Sequence, residues 1–346
     1  MVLFTLILAP LLLLLLFLIV RPKPIIIPIK NRHVFISGGS SGIGLALAQK
    51  AVSEGARVSL LARSLHKLEE AQKSIREAHG VDVAIFSADV RDHNAVERAV
   101  AESGPIDVLV VNQGIFVPGA VENQASDVIK SVIDVNLTGS FNVIKAALPW
   151  MKKRKDGAPA SIALMSSQAG QIDFRVGKQV GIYGYSAYSA TKFGLRGLAE
   201  ALQQELISDN IHVSVIYPPD TQTPGFEQGI SSSTNRIVVL IRIITFGCFA
   251  ERKIRPELAG MIMGSGGGAL SAEEVAKKSL DGIKSGSFSI WFNLEGYMLG
   301  FSGAGFSPQT SFPVAFLEIV FAGLSRLAAL FIVWSWYRII QKKHAN

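Results

Sequence analysis

A single cysteine, Cys248, stands in the 346 residues. An intrachain disulfide is therefore excluded, and a reducing compartment is allowed. Histidine is scarce too: the six (33, 66, 79, 93, 212 and 344) are scattered without metal-ligand spacing, so no metal is expected. Charged residues make up only 18% of the chain against 49% hydrophobic ones, and the apolar excess sits at the two ends. The net charge is +7, yet no basic stripe with interleaved aromatics occurs, so nucleic acid is not an expected partner. The densest basic run, Lys152-Lys-Arg-Lys155, lies beside a helix end. It reads as a solvated terminus matched to the helix dipole, or as a contact with anionic headgroups.

The N-terminal apolar run, residues 3–20, lacks the basic leader and small-residue cleavage site of a signal peptide. It is interrupted only by Thr5, Ala9 and Pro10, and is just long enough to cross a hydrocarbon core of about 30 Å. Arg21 and Lys23 follow it, which places the chain from residue 21 onward in the cytosol. Residues 1–24 are therefore expected to be an uncleaved transmembrane anchor, with Pro22, Pro24 and Pro28 as a stiff spacer. At the other end, residues 312–340 are apolar except for Glu318 and Arg326. Gly323-Leu-Ser-Arg326 divides them into pieces too short to span. A shallow hydrophobic hairpin in the bilayer is expected, or else a helix packed as the seam of a homodimer. The expected organisation is an anchor (1–24), a catalytic domain (30–290) and a membrane-associated end (291–346).

Between the ends, short apolar strands alternate with amphipathic helices. Strands are predicted over His33–Ser37, Arg57–Ala62, 83–86 and Val108–Val111, with helices to residue 51 and over 64–78 and 92–102. That alternation predicts an α/β fold, a doubly wound parallel sheet of Rossmann type with helices on both faces. Gly38-Gly-Ser-Ser-Gly-Ile-Gly44 lies directly between the first strand and its helix. Glycines there let the backbone turn tightly, approach a diphosphate and aim helix N-terminal amides at it. A further absence follows: the second strand ends without an acidic residue to grip ribose hydroxyls. Arg63 and Lys67 stand there instead. Two cations suit a 2′-phosphate, so the expected cofactor is NADPH.

Tyr188 and Lys192 are four apart at the start of a helical run that continues to Leu206. Positions i and i+4 share a helix face, so a phenol and an ammonium are held together. A free tyrosine titrates near pH ~10. A neighbouring cation stabilises the phenolate and makes the pair a proton donor for a carbonyl–alcohol interconversion.

With these pieces in place, residues 32–222 resemble the short-chain dehydrogenase/reductase family. Its glycine motif matches Ser37-Gly-Gly-Ser-Ser-Gly-Ile-Gly44, which implies cofactor contacts at Gly38, Ser40, Ser41, Gly42, Ile43 and Gly44. Its Asp-Val motif matches Asp89-Val90, implied to touch the adenine. Asn112 and Gly114 keep two positions of its Asn-Asn-Ala-Gly motif, while Val111 and Gln113 depart from it. The resemblance further implies a catalytic serine, Ser167 with Ser166 as the alternative, beside Tyr188 and Lys192. It implies Asn136 as the residue that holds a water to return the proton, and Pro218 and Thr221 as cofactor contacts. Lys192 is implied to bond the nicotinamide ribose.

Three stretches resemble the branch of that family acting on long-chain keto-sphingoid bases: 166–171, 181–188 and 217–226, the last with Pro218-Pro-Asp220. Such a substrate partitions into a bilayer, and the branch resemblance implies an endoplasmic-reticulum membrane enzyme facing the cytosol. A steroid or retinoid reductase of the family is the rival reading. Twenty residues separate Ser167 from Tyr188, more than the family pattern, so 173–180 reads as an insert, as does 229–251. Either these inserts loop out beside the lipid entrance or they distort the pocket and leave a scaffold without turnover.

Overall fold

The computed structural model describes residues 25–154, 156–171, 184–223, 270–303, 307–309, 311 and 313–321, with a few helical positions between 8 and 18. The inserts expected at 173–180 and 229–251, most of the 1–24 anchor and residues 322–346 lie outside the described residues. Among the described residues no helix is long and apolar enough to cross a membrane.

Seven strands form one parallel sheet. They are β1 (His33–Ser37), β2 (Arg57–Ala62), β3 (Ala84–Ser87), β4 (Val108–Val111), β5 (Ala160–Met165), β6 (Ile211–Ile216) and, after a separate parallel pair of β7 (Thr221–Gln222) with β8 (Leu270–Ser271), β9 (Ser289–Ile290). Their order across the sheet is β3-β2-β1-β4-β5-β6-β9. The helices are α1 (Gly42–Ser53), α2 (Leu65–His79), α3 (His93–Ser103), α4 (Ser126–Ile133), α5 (Gly139–Lys152), α6 (Ser186–Leu206), α7 (Ala272–Lys284) and α8 (Leu294–Gly303). The doubly wound sheet is as the alternation of strand and helix predicts. The winding reverses between β1 and β4, and at that point the strand ends open a crevice.

The strands alternate between two cores because successive side chains point to opposite faces. Phe35, Leu109, Val111, Ile162, Leu164 and Val213 pack with α3, α5 and α6 on one face. Val34, Ile36, Val108, Val110, Ala163 and Met165 pack with α1, α2 and α7 on the other. Burying one such large side chain stabilises by about 1.5–3 kcal/mol. Helix ends follow the local sequence. Ser64 and Asp92 cap α2 and α3, and Ser271 with Glu274 forms a reciprocal capping box on α7.

Two expectations change. The basic run is more than a solvated terminus at its described positions. Arg154 turns inward, 8% exposed, to Asp107 at 3.3 Å, and its guanidinium also donates to Met151 O and Ala158 O. Lys152 pairs with Asp209 at 2.6 Å, and Lys153 lies over the Trp150 ring. The boundary drawn at 290 runs through packed core: Trp291 and Phe301 are buried in one cluster and Phe292 in the other. Arg196 on α6 donates to Ser307 Oγ at 2.8 Å and to Gly303 O, which ties the chain beyond α8 to the domain.

His33 shows how tightly β1 is set. The ring donates from Nδ1 to Pro105 O at 2.6 Å and accepts at Nε2 from Ser59 Oγ at 2.7 Å. Burial pulls its pKa from 6.5 down to about 4, so the folded protein keeps it neutral where the unfolded chain takes a proton. Stability from this residue is therefore lost as pH falls from about 6.5 to about 4, up to about 3 kcal/mol. Denaturant melts across this window should show the loss in the wild type and a flatter profile in His33→Asn, which keeps a donor for Pro105. Parallel profiles would refute the assignment.

Candidate active site

A cleft of about 940 Å³ opens over the carboxyl ends of the strands. One wall is the turn after β1, with Gly38, Ser40, Ser41, Gly42 and Ile43. Arg63 and Lys67 stand beyond β2, Asp89 and Val90 beyond β3, and Asn112 and Gly114 beyond β4. Ser166 and Ser167 follow β5, Pro218 and Thr221 follow β6, and α6 contributes Tyr188 and Lys192. The sheet thus gathers residues from across the domain into one cavity. Gly44, expected as a cofactor contact, and Asn136, expected to hold a water, are not on its wall.

The glycine turn fits a close-lying diphosphate. Gly38 adopts φ +66°, and a Cβ there would lie 2.8 Å from Gln113 Cα. Gly42 has φ +55° and faces Thr223, with 3.0 Å left for a Cβ. Ser41 precedes α1 without a side-chain capping bond, and the first turn carries no acidic residue, so the helix N-terminus suits an anion. Gly44 serves the turn differently, since a Cβ would sit 2.2 Å from Gly38 O and 2.5 Å from Asn112 Nδ2. It lets the turn fold onto its own helix and does not face the cavity.

Arg63 is exposed and Lys67 half-buried at the β2 end. The nearby Asp89 is bound by Arg91 at 2.7 Å, which holds its carboxyl below the usual range, with the Arg63 charge adding to the effect. The expected cation pair is therefore present at the cleft, and the adjacent carboxylate is already engaged.

The structure distinguishes the two serines. Ser166 is buried and its Oγ donates to Lys192 O at 2.9 Å. Ser167 Oγ accepts from Ala169 N at 3.1 Å, with no acceptor for its own proton among the described residues. A hydroxyl donor toward a substrate oxygen is thus available at Ser167. Gly170 makes this arrangement possible, since a Cβ would lie 2.5 Å from Ser166 Oγ and 2.7 Å from Lys192 O.

Lys192 is 4% exposed, and its ammonium donates to Met165 O at 2.8 Å. Desolvation brings its pKa from 10.5 to about 8. Nζ lies 5.3 Å from the centre of the Tyr188 ring. The half-buried Tyr188 is met edge-on by Phe116 at 4.9 Å, and Phe116 meets Tyr185 at 4.7 Å. The i, i+4 spacing therefore brings phenol and ammonium together at the cleft, as the helix reading expects.

Asn136 lies in a π-helical segment, Asp134–Thr138, and is fully buried. Its side chain accepts from Ile115 N at 2.7 Å and donates to Ile115 O at 2.9 Å and Thr191 Oγ1 at 3.2 Å. The amide thus braces the loop after β4 against α6.

Gln113, a departure from the family motif, was not singled out by sequence as a working residue. It accepts from Ser37 Oγ and donates to Ser140 Oγ at 3.0 Å, and Ser140 donates to Asn136 O at 2.7 Å. The longer side chain thus joins the end of β1 to the π-helical segment. Its only sequence signal was the departure itself. Phe116 was also missed, because a lone apolar residue after a strand looks like ordinary core.

The model of the family described as short chain dehydrogenase matches residues 32–232. The chain is 58% identical over 325 residues to the 3-dehydrosphinganine reductase TSC10A of Arabidopsis thaliana, covering 94% of this chain and 90% of that one. It is 36% identical over 332 residues to the 3-dehydrosphinganine reductase of Danio rerio, covering 94% and 89% respectively. Among solved structures, the L-sorbose reductase of Gluconobacter frateurii, complexed with NADPH and L-sorbose, matches with a TM-score of 0.59 at 23% identity. That match covers 79% of this chain and 98% of that one and shows the shared fold. With a family match across the strands that build the cleft, and relatives alike along nearly the whole length, the chain belongs to the short-chain dehydrogenase family.

Proposed function

We propose that this chain reduces the ketone of 3-dehydrosphinganine (3-ketodihydrosphingosine) to the alcohol of sphinganine, a step of sphingolipid biosynthesis, with NADPH as reductant. The carrying observation is the meeting, in one cleft, of the glycine turn, the Ser167 hydroxyl and the Tyr188–Lys192 pair. Likeness to proteins named 3-dehydrosphinganine reductases selects the substrate among the ketones this chemistry would serve.

Proteins of this family take NAD(P)H, and a bound reduced nicotinamide supplies a hydride to the carbonyl carbon. The diphosphate would rest on the 38–44 turn, and Arg63 with Lys67 would hold the 2′-phosphate. The chain's own groups act on the substrate oxygen. Ser167 donates a hydrogen bond to the ketone and fixes its direction. Tyr188 gives its proton to that oxygen as negative charge develops there. The Lys192 ammonium stabilises the phenolate left behind, and its lowered pKa of about 8 keeps it mostly charged near neutrality.

Tyr188→Phe is expected to lower kcat by about 10²- to 10⁴-fold, because proton donation is lost. NADPH binding, followed by fluorescence, should change little. Wild-type turnover in that variant would remove Tyr188 from the chemistry.

Replacing both Arg63 and Lys67 with Ala is expected to raise KM for NADPH by about tenfold or more, since charge-assisted bonds to the phosphate are lost. KM for NADH should stay nearly constant. Equal effects on both cofactors would argue against 2′-phosphate recognition.

The proposed location is the endoplasmic-reticulum membrane, with the catalytic domain facing the cytosol. The apolar run at 3–20 followed by Arg21 and Lys23 supports this. So does the amphiphilic substrate. Between 8 and 18 the described positions are helical, with Leu11 and Leu18 each 60% exposed. In microsomes, the full chain should resist alkaline carbonate extraction and the chain without residues 1–24 should be released more readily. Release of the full chain would exclude an integral anchor.

A further inference from the structure

The substrate class proposed above carries an ammonium on the carbon next to its ketone. Once that ketone is seated between Ser167 and Tyr188, the ammonium nitrogen is fixed two bonds away from the reacting carbon. Apolar side chains Ile115, Phe116 and Val117 line this region, and the Lys192 ammonium lies close behind Tyr188. A second cation placed there is disfavoured by desolvation and by like charge unless an anion meets it.

Among the described residues two carboxylates border the cleft, Asp89 and Asp220. Asp89 follows β3 on the Arg63 side of the sheet and is held by Arg91 through contacts of 2.7–3.1 Å. Asp220 is exposed on the loop after β6, and that loop is fastened to the serine turn. Pro218 O accepts from Gln168 N at 3.1 Å, immediately beyond Ser167. Thr221 Oγ1 donates to Pro219 O at 2.8 Å, and Asp220 O accepts from Leu270 N at 3.0 Å as β7 pairs with β8. Two prolines before Asp220 stiffen the loop further. A carboxylate is therefore carried on a braced backbone at the serine–tyrosine end of the cleft.

We infer that Asp220 is a specificity-determining residue that receives the substrate's ammonium as the ketone docks on Ser167 and Tyr188. The inference rests on the substrate reading above and adds the group that separates an aminoketone from a plain long-chain ketone. Asp220 takes no proton and enters no bond-breaking step. It selects and orients.

The test compares 3-dehydrosphinganine with 1-hydroxyoctadecan-3-one, which lacks the amine, in wild type, Asp220→Asn and Asp220→Glu. The full chain in detergent micelles is used, and NADPH affinity is measured alongside. Loss of a charged hydrogen bond should lower kcat/KM of Asp220→Asn on the aminoketone by about 10- to 100-fold. Its activity on the plain ketone and its NADPH affinity should stay within about twofold, since exchanging an exposed carboxylate for its isosteric amide otherwise changes little. Asp220→Glu should recover part of the preference. An Asp220→Asn variant that keeps the aminoketone preference, loses equally on both ketones, or loses NADPH affinity overturns the inference while leaving the substrate reading intact. A wild type that turns over the plain ketone but not the aminoketone overturns the substrate reading, and this inference with it.

Discussion

A buried ammonium orders the centre of this molecule. Lys192 is set into the domain with Met165 O as a hydrogen-bond partner at the end of β5. Removing a charge from water is costly unless partners compensate, so the surrounding backbone must be placed closely. Gly170 lets the exit of β5 lie against α6, and Gly114 leaves room where a Cβ would stand 3.6 Å from Nζ. Ser166, beside the proposed catalytic serine, anchors Lys192 O. Strand, loop and helix therefore meet around one charge, and the position of Tyr188 follows from that meeting.

A second layer holds this arrangement from behind. Asn136 clamps Ile115 and Thr191, and Thr191 Oγ1 donates to Tyr188 O at 2.7 Å. Gln113 and Ser140 extend the connection to Ser37 at the end of β1. Buried polar groups that are mutually satisfied rigidify a site, whereas partly satisfied ones destabilise it. The glycine turn and α6 are thus linked through hydrogen bonds as well as through the sheet. A departure from the family motif at Gln113 is absorbed because its amide finds partners on both sides.

Helix α6 also reaches the C-terminal part of the chain. Tyr188 and Lys192 face the cleft, while Arg196 and Glu200, one and two turns further on, engage Ser307. Gln168 and Asn293 join the serine turn to the start of α8 at 2.9 Å. The segment after β9 is thereby part of the domain's packing, with Trp291 and Phe301 in its core. The chain beyond α8 and the Tyr188–Lys192 pair are thus joined through one helix.

Local chemistry alone determined the alternating strands and helices, the turn over 38–44, the i, i+4 pairing of Tyr188 with Lys192 and the cation pair at Arg63 and Lys67. These features depend on periodicity, on glycine's lack of a side chain and on charge, all carried within short windows. Tertiary structure decided which of two adjacent serines offers its hydroxyl, because Lys192 O occupies Ser166 from 26 positions away. It also turned Arg154 inward to Asp107, 47 positions distant, and moved Asn136 and Gly44 behind the cleft wall. Partners separated by that much chain leave no periodic trace, since only the folded sheet brings them within hydrogen-bonding distance.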